Sequence, residues 1–258
     1  MSMRINFNAD LGEGYGRYTL GDDAALLGLV QSANVACGMH AGDPLIMART
    51  VSLAKQAGVS VGAHPGYDDL AGFGRRPMHT TEEALNNLVL YQIGALQAIA
   101  RAQEMPVTHV KPHGALNNLA HSSRDVALTL AHAVHAADPE LIFVAAACSE
   151  MVCAAESVGL RVAHEAYVDR RCDDNGQLLP RGHPQAVIRD PAAAAAHAMA
   201  MLKGQCLLSI DGKRLPTRID TLCVHGDEPS ALAVAAHVRA ALQAAGCQLV
   251  PLPALWGA

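Results

Sequence analysis

The sequence predicts an α/β fold: one parallel sheet with helical crossovers, either closed into a (β/α) barrel or spread as a doubly wound sheet. Three observations predict it. Short apolar runs alternate with longer amphipathic stretches at least seven times, with no break in composition. Glycines and acidic-proline pairs punctuate the boundaries between them. Ionisable residues collect just after the apolar runs, where parallel folds build their sites. The chain of 258 residues suits one large α/β domain, expected over 1–258.

The elements follow in order. Strands are expected at 4–9 (RINFNA), 32–37 (SANVAC), 59–63 (VSVGA), 107–111 (VTHVK), 141–147 (LIFVAAA), 160–164 (LRVAH) and 220–225 (DTLCVH), with a further one at 248–252 (QLVPL). Asp43-Pro44, Asp190-Pro191 and Glu228-Pro229 each place an acidic residue before a proline suited to a first helical turn. Thr80 and Glu83 read as a capping box ahead of a long helix. Gly58, Gly159 and Gly246 stand where a helix gives way to the next strand. Two segments interrupt the rhythm, 172–184 and 206–218. Each carries an Asn-Gly or Asp-Gly turn in a polar frame, so both are expected as inserted loops or hairpins.

Composition narrows the function. The net charge of −5 and the lack of a basic cluster argue against nucleic acid or an anionic membrane as partner. Aromatic residues make up 3% while hydrophobic residues make up 51%, much of that alanine, which suits closely packed helices. Neither a signal-peptide apolar core nor a membrane-length apolar run is visible. The seven cysteines are scattered with no C-x-x-C pair. A cytoplasmic protein with reduced thiols is expected.

The polar residues carry the functional signal. Asp10 and Glu13 follow the first strand; Cys37, His40 and Asp43 the second; His64 and Asp68 the third; Lys111 and His113 the fourth. Glu165, Asp169 and Arg170 follow the sixth, and His225 and Asp227 the last. A single histidine after a strand is usually a hydrogen-bonded loop residue. Six distant segments repeating the pattern point instead to one cleft. His132, His135, His197 and His237 fall in helical patterns and read as surface or cap residues, whereas His79, His121 and His183 fall in loops with no supporting cluster. Cys37 reads better as a small buried hydrophobe than as a nucleophile. Arg75 and Arg76 could grip a carboxylate or phosphate, or form a solvated pair. Asp10, His40 and His64 could hold a divalent metal, and the sequence leaves metal and direct acid–base chemistry both open. P-loop, dinucleotide-binding and G-x-S-x-G motifs are absent.

Six segments in order, NADLGEGYGR, SANVACGMHAGDP, VGAHPGYDDLAGFGRR, HVKPHGALNN, EAYVDRR and CVHGDEP, resemble the LamB/YcsF family over nearly the whole chain. The resemblance implies a distorted (β/α) barrel of about seven parallel strands, related to the glycoside hydrolase/deacetylase superfamily. It implies the A-type component of an ATP-dependent 5-oxoprolinase, which with subunits B and C converts 5-oxo-L-proline, ATP and water to L-glutamate, ADP and phosphate. ATP is then a co-substrate; since the chain carries no recognised ATP motif, ATP is expected chiefly on the partner subunits, the alternative being this cleft through unfamiliar contacts. The family's motif positions fall on Asp10, Glu13, His40, His64, Lys111, His113, Asp169, Arg170, His225 and Asp227. Of these, Asp10, His64, Lys111, His113 and His225 are expected to carry catalysis. Glu13, His40, Asp169, Arg170 and Asp227, with Arg75, are expected to bind substrate. Four departures from the family pattern stand out: Ala9 replaces Cys, Gly14 replaces Ser, Asn117 replaces Tyr and Tyr167-Val168 replaces Phe-Ala. Two other functions stay open, a metal-dependent amidohydrolase or deacetylase acting without ATP, and a non-catalytic small-molecule binding subunit.

Overall fold

The structure is a computed structural model that describes residues 3–257. Its elements run β1 (Arg4–Leu11), α1 (Asp23–Leu27), β2 (Ser32–Ala36), α2 (Pro44–Ala57), β3 (Ser60–His64), α3 (Glu82–Arg101), β4 (Val107–Val110), α4 (Gly114–Ser122), α5 (Arg124–Ala137) and β5 (Ile142–Ala146). They continue α6 (Glu150–Ser157), β6 (Arg161–Tyr167), α7 (Pro191–Gly204), β7 (Cys206–Leu208), β8 (Arg214–Pro216), β9 (Thr221–His225), α8 (Ala231–Ala244) and β10 (Gln248–Leu249). Strands β1 to β6 and β9 pair in parallel, and β9 returns to β1 through Asn6–Thr221 to Asp10–His225. The sheet is therefore a closed barrel of seven strands, not an open doubly wound sheet. Closure leaves no edge on this sheet apart from β10, which adds to the start of β1.

Alternation along β1 separates two environments. Ile5, Phe7, Ala9 and Leu11 belong to the apolar layer beneath the helices. Asn6, Asn8 and Asp10 take the opposite face, inside the barrel. The interior is a hydrogen-bonded polar ladder. Asn6 donates to Ser32 and accepts from Thr221, and Asn8 donates to Thr221 and Glu165. Asn34 donates to Asn8 and to Asp10, and accepts from His109 Nε2. A buried amide is tolerated only when its groups are paired, and here most partners are other interior side chains, with the Val250 carbonyl also accepting from Asn6. At the barrel's base, Leu252 packs on Ile142, Val144 and Ala163 as an apolar plug.

The helix signals are mostly where expected. Asp43 caps α2 by accepting from Leu45 and Ile46, and Asp190 caps α7 by accepting from Ala193. Two boundaries differ. Thr81, not Thr80, caps α3, because its hydroxyl reaches the Ala84 amide. The last helix begins at Ala231 after Ser230, so Pro229 precedes the first turn, and Glu228 is taken up by Arg181 at 2.6 Å. The two interruptions behave as expected: 206–218 contains the β7–β8 hairpin, and 172–184 folds back through a Cys172–Leu178 bridge. Among the described residues, no helix is long and apolar enough to cross a membrane.

Candidate active site

The C-terminal ends of the parallel strands share one face of the barrel, and a cleft of about 460 Å³ opens there, lined from β1, β3, β6 and β9 and the segment after β4. Asp10, His64, Lys111, His113 and His225 all line it. Arg75, Asn117, Tyr167, Arg170 and Arg181 complete the polar wall. Asp10 and Glu165 do not follow their strands as the sequence suggested; they lie within β1 and β6, which run longer than expected, and so face the barrel interior.

Lys111 sits at the centre. It is buried, with Nζ 2.8 Å from Asp10 Oδ1 and 3.3 Å from Glu165 Oε1. Burial alone would lower its pKa, but Asp10 and Glu165 outweigh that and hold it well above the usual lysine value. For Asp10, burial pushes up, whereas His64 and Lys111 pull down and prevail. The two groups are a charged pair at neutral pH. Pro112 follows directly, and His113 N–H donates to the Pro65 carbonyl, which turns the chain so that Lys111 and His113 both enter the cleft.

His225 has a different setting. Its Nδ1 lies 3.0 Å from both oxygens of buried Asp169, and its backbone N–H also donates to Asp169. Asp169 thus fixes the Nδ1–H tautomer and leaves Nε2 free at the cleft. The His225 ring stacks on Tyr167, centroids 5.5 Å apart. Tyr167 Oη in turn lies 3.4 Å from Asn117 Nδ2.

A second cluster adjoins the cleft and shares two of its lining histidines: Glu13, His40, His64 and His113, all buried. Glu13 Oε1 is 3.4 Å from His40 Nε2, 3.4 Å from His113 Nδ1 and 4.0 Å from His64 Nε2. The His40 and His113 rings stack with centroids 3.6 Å apart. Burial pushes both imidazoles well below the ordinary histidine value, and burial with nearby Asp10 pushes Glu13 well above the carboxylate range. Gly74, at φ +60°, presses against this cluster; a Cβ there would lie 2.7 Å from His40 Cβ and 2.9 Å from His113 Cδ2. Such a group of side chains is of a kind that can hold a metal ion. Its carboxylate is Glu13, which the sequence suggested for substrate. Asp10, the carboxylate suggested for a metal, is drawn toward Lys111 while keeping one oxygen 3.3 Å from His64 Nε2.

Other suggested residues separate clearly. Arg75 reaches Asp227 at 2.5 Å beside the cleft, but Arg76 is locked to buried Asp69 and braces its own loop. Asp68 is exposed. Cys37 is buried and its thiol is pushed up to about 12 by burial, as befits a packing residue and not a nucleophile. His132, His135 and His237 are exposed as expected. His121 is buried inside α4, and His197 is half-buried against a small cavity shared with Glu165 and Arg170, with its pKa pushed down to about 4 by burial. The partners of His121 come from the inserted loop (Asp173, Asn175) and those of His197 from the turn after β6 (Asp169 to Arg171), which local sequence does not reveal.

The sequence reading missed Arg181, Cys223 and the interior asparagines that lead to Asp10. Arg181, on the inserted loop, bridges Asp227 and Glu228 and lines the cleft. Its place between Pro180 and Gly182 in an interruption was the available signal. Cys223 lies 2.9 Å from Lys111 Nζ. The Asn6-Asn8-Asp10 alternation was legible as a polar strand face, and it leads directly to the site.

Comparison with known proteins agrees with this architecture. The LamB/YcsF family profile matches residues 5–256. The A-type component of 5-oxoprolinase from Rhodopseudomonas palustris (strain BisB5) is 50% identical over 250 residues, spanning 96% of this chain and 98% of the relative. The crystal structure of a lactam utilization protein from Thermus thermophilus superposes with a TM-score of 0.90 at 45% identity, covering 96% of this chain and 99% of that one. A peptidoglycan N-acetylglucosamine deacetylase catalytic domain from Eubacterium rectale ATCC 33656 gives a TM-score of 0.53 at 10% identity, over 97% of this chain and 89% of that one, a likeness of fold alone. The chain belongs to the LamB/YcsF family.

Proposed function

We propose that this chain is the lactam-opening subunit of a cytoplasmic ATP-dependent 5-oxoprolinase, acting with B and C subunits on 5-oxo-L-proline. The carrying observation is that a buried cation, Lys111, and an imidazole oriented by a buried carboxylate, His225 with Asp169, face the same cleft. The name borne by the R. palustris relative supports the substrate class.

A lactam carbonyl is a poor electrophile, so the oxygen is phosphorylated by ATP, releasing ADP. Lys111 offsets the negative charge gathering there. Water then adds to the activated carbon, oriented by Asp10, which is too strongly held by Lys111 to be a good base itself. His225 Nε2 takes the water's proton and returns it to the ring nitrogen as the C–N bond breaks, while Asp169 stabilises the imidazolium. A second water hydrolyses the resulting acyl phosphate to glutamate and phosphate. Arg170, with Arg75 and Arg181 positioned by Asp227, grips the substrate carboxylate. Because the sequence has no phosphate-binding loop, ATP is assigned chiefly to the partner subunits.

Calorimetric titration of the folded chain, alone and with candidate partners, tests the substrate. 5-Oxo-L-proline should bind at least tenfold more tightly than 2-pyrrolidinone, which lacks the carboxylate. Equal affinity, or no binding in any mixture, would overturn the assignment. The other function, a metal-dependent amidohydrolase, would need an ion with an open position at the cleft; ATP-independent ring or acetamide hydrolysis would mark it.

A further inference from the structure

The histidine cluster contains a conflict that only an added positive charge resolves. His64 Nδ1 is 2.7 Å from the Lys111 carbonyl, and His113 Nε2 is 2.8 Å from the Phe73 carbonyl. A carbonyl only accepts, so each of these nitrogens carries the ring hydrogen. In neutral rings, His64 Nε2 and His113 Nδ1 are then lone pairs facing one another at 3.0 Å. Glu13 Oε1 and both nitrogens of His40 are buried with no hydrogen-bond partner. A proton could satisfy one of these pairs. It would leave the remaining acceptors buried and unpaired, which is costly.

We propose that Glu13, His40, His64 and His113 form a closed binding site for one divalent transition metal of the zinc class. Three imidazoles and one carboxylate suit zinc or cobalt and are a poor set for magnesium or calcium, which prefer oxygen. The spacing fits. Ligand atoms about 2.0–2.1 Å from a tetrahedral ion stand about 3.3 Å apart. The four separations above run from 3.0 to 4.0 Å, and all ligand atoms lie within 4.8 Å of one another. The Lys111 and Phe73 carbonyls orient two of the rings, as outer partners do in metal centres.

The ligand count has a consequence. Four protein ligands fill a tetrahedral ion and leave no position for water, which marks a structural centre and not a hydrolytic one. Such a centre ties β3 and the loops after β1, β2 and β4 together at the wall of the cleft. It also removes His64 and His113 from proton transfer, leaving that to His225. The site deepens the reading above without depending on it, because metal retention is measured with neither lactam nor ATP present.

The test is to strip the protein with a chelator, add zinc or cobalt, desalt, and measure metal per chain alongside the visible cobalt spectrum. One equivalent should be retained, with the absorption of tetrahedral cobalt. Glu13→Gln and His40→Ala should each lower retention at least tenfold at unchanged circular dichroism; if His40→Ala does not fold, Glu13→Gln decides. His225→Ala, which breaks the neighbouring Asp10, Cys223 and His225 group, should keep the full equivalent. Failure of the folded wild-type chain to retain either metal, or retention insensitive to Glu13→Gln, or loss on His225→Ala, would overturn the proposal. None of these outcomes touches the lactam titration.

Discussion

Replacing Lys111 by methionine removes the one cation from a buried site that holds two carboxylates. Asp10 at 2.8 Å and Glu165 at 3.3 Å both lose their charge partner, and neither is exposed to water. Breaking a buried pair from one side costs about 3–5 kcal/mol, because the remaining charge stays buried. For a chain of this size that lowers the melting temperature by roughly 6–20 °C. The pH dependence has a definite sign. In the wild type Asp10 is held low, so its stabilising contribution is present above its unfolded value, near 3.9, and fades as pH falls through the folded value. Without Lys111, only His64 of the two chief groups opposing burial is left and Asp10 rises, so the variant falls further below the wild type as pH increases from acid toward neutral. The gap between wild type and variant should therefore be widest near pH 7 and shrink toward pH 4. Asp10→Asn added to Lys111→Met should recover more than half of the loss, since the two sites are coupled. Urea denaturation across pH measures this. A gap below about 1 kcal/mol at pH 7, or one independent of pH, would refute the charged-pair account.

Three further outcomes follow from the site. His225→Asn should lower kcat of the assembled complex by about 10²–10⁴ with little change in KM, measured as glutamate release; an undiminished kcat would assign proton transfer elsewhere. Arg181→Ala should raise KM for the lactam about tenfold and spare kcat, as expected for loss of a partly exposed charged hydrogen bond. Iodoacetamide should label the exposed Cys148 and Cys153 in the native protein while buried Cys37 and Cys223 stay unmodified, as read by mass spectrometry. Rapid labelling of Cys37 would contradict its buried, high-pKa setting.

The sequence made the barrel's repeating plan legible because each strand and helix carries its own local signal. It also showed that Lys111 and His113 belong together, since two strongly polar side chains around a proline at a strand end have few structural uses. What local sequence could not convey was pairing across the barrel. Glu13 and Asp10 lie three residues apart in similar surroundings, yet one meets three histidines and the other meets Lys111. Glu228-Pro229 has the form of a helix start, but Arg181 from an inserted loop claims the glutamate. The interior ladder was hidden for another reason. Asn6 and Asn8 are polar residues in a strand, and only barrel closure makes that face internal, with partners from β2 and β9.

The central claim is that this cleft opens a lactam at the expense of ATP. The most direct measurement is glutamate release from 5-oxo-L-proline by the chain alone, and by the chain mixed with candidate B and C subunits, each with and without ATP. Glutamate should form only in the full mixture with ATP. Glutamate formed by the single chain without ATP, or none formed when all three subunits are folded, would contradict it.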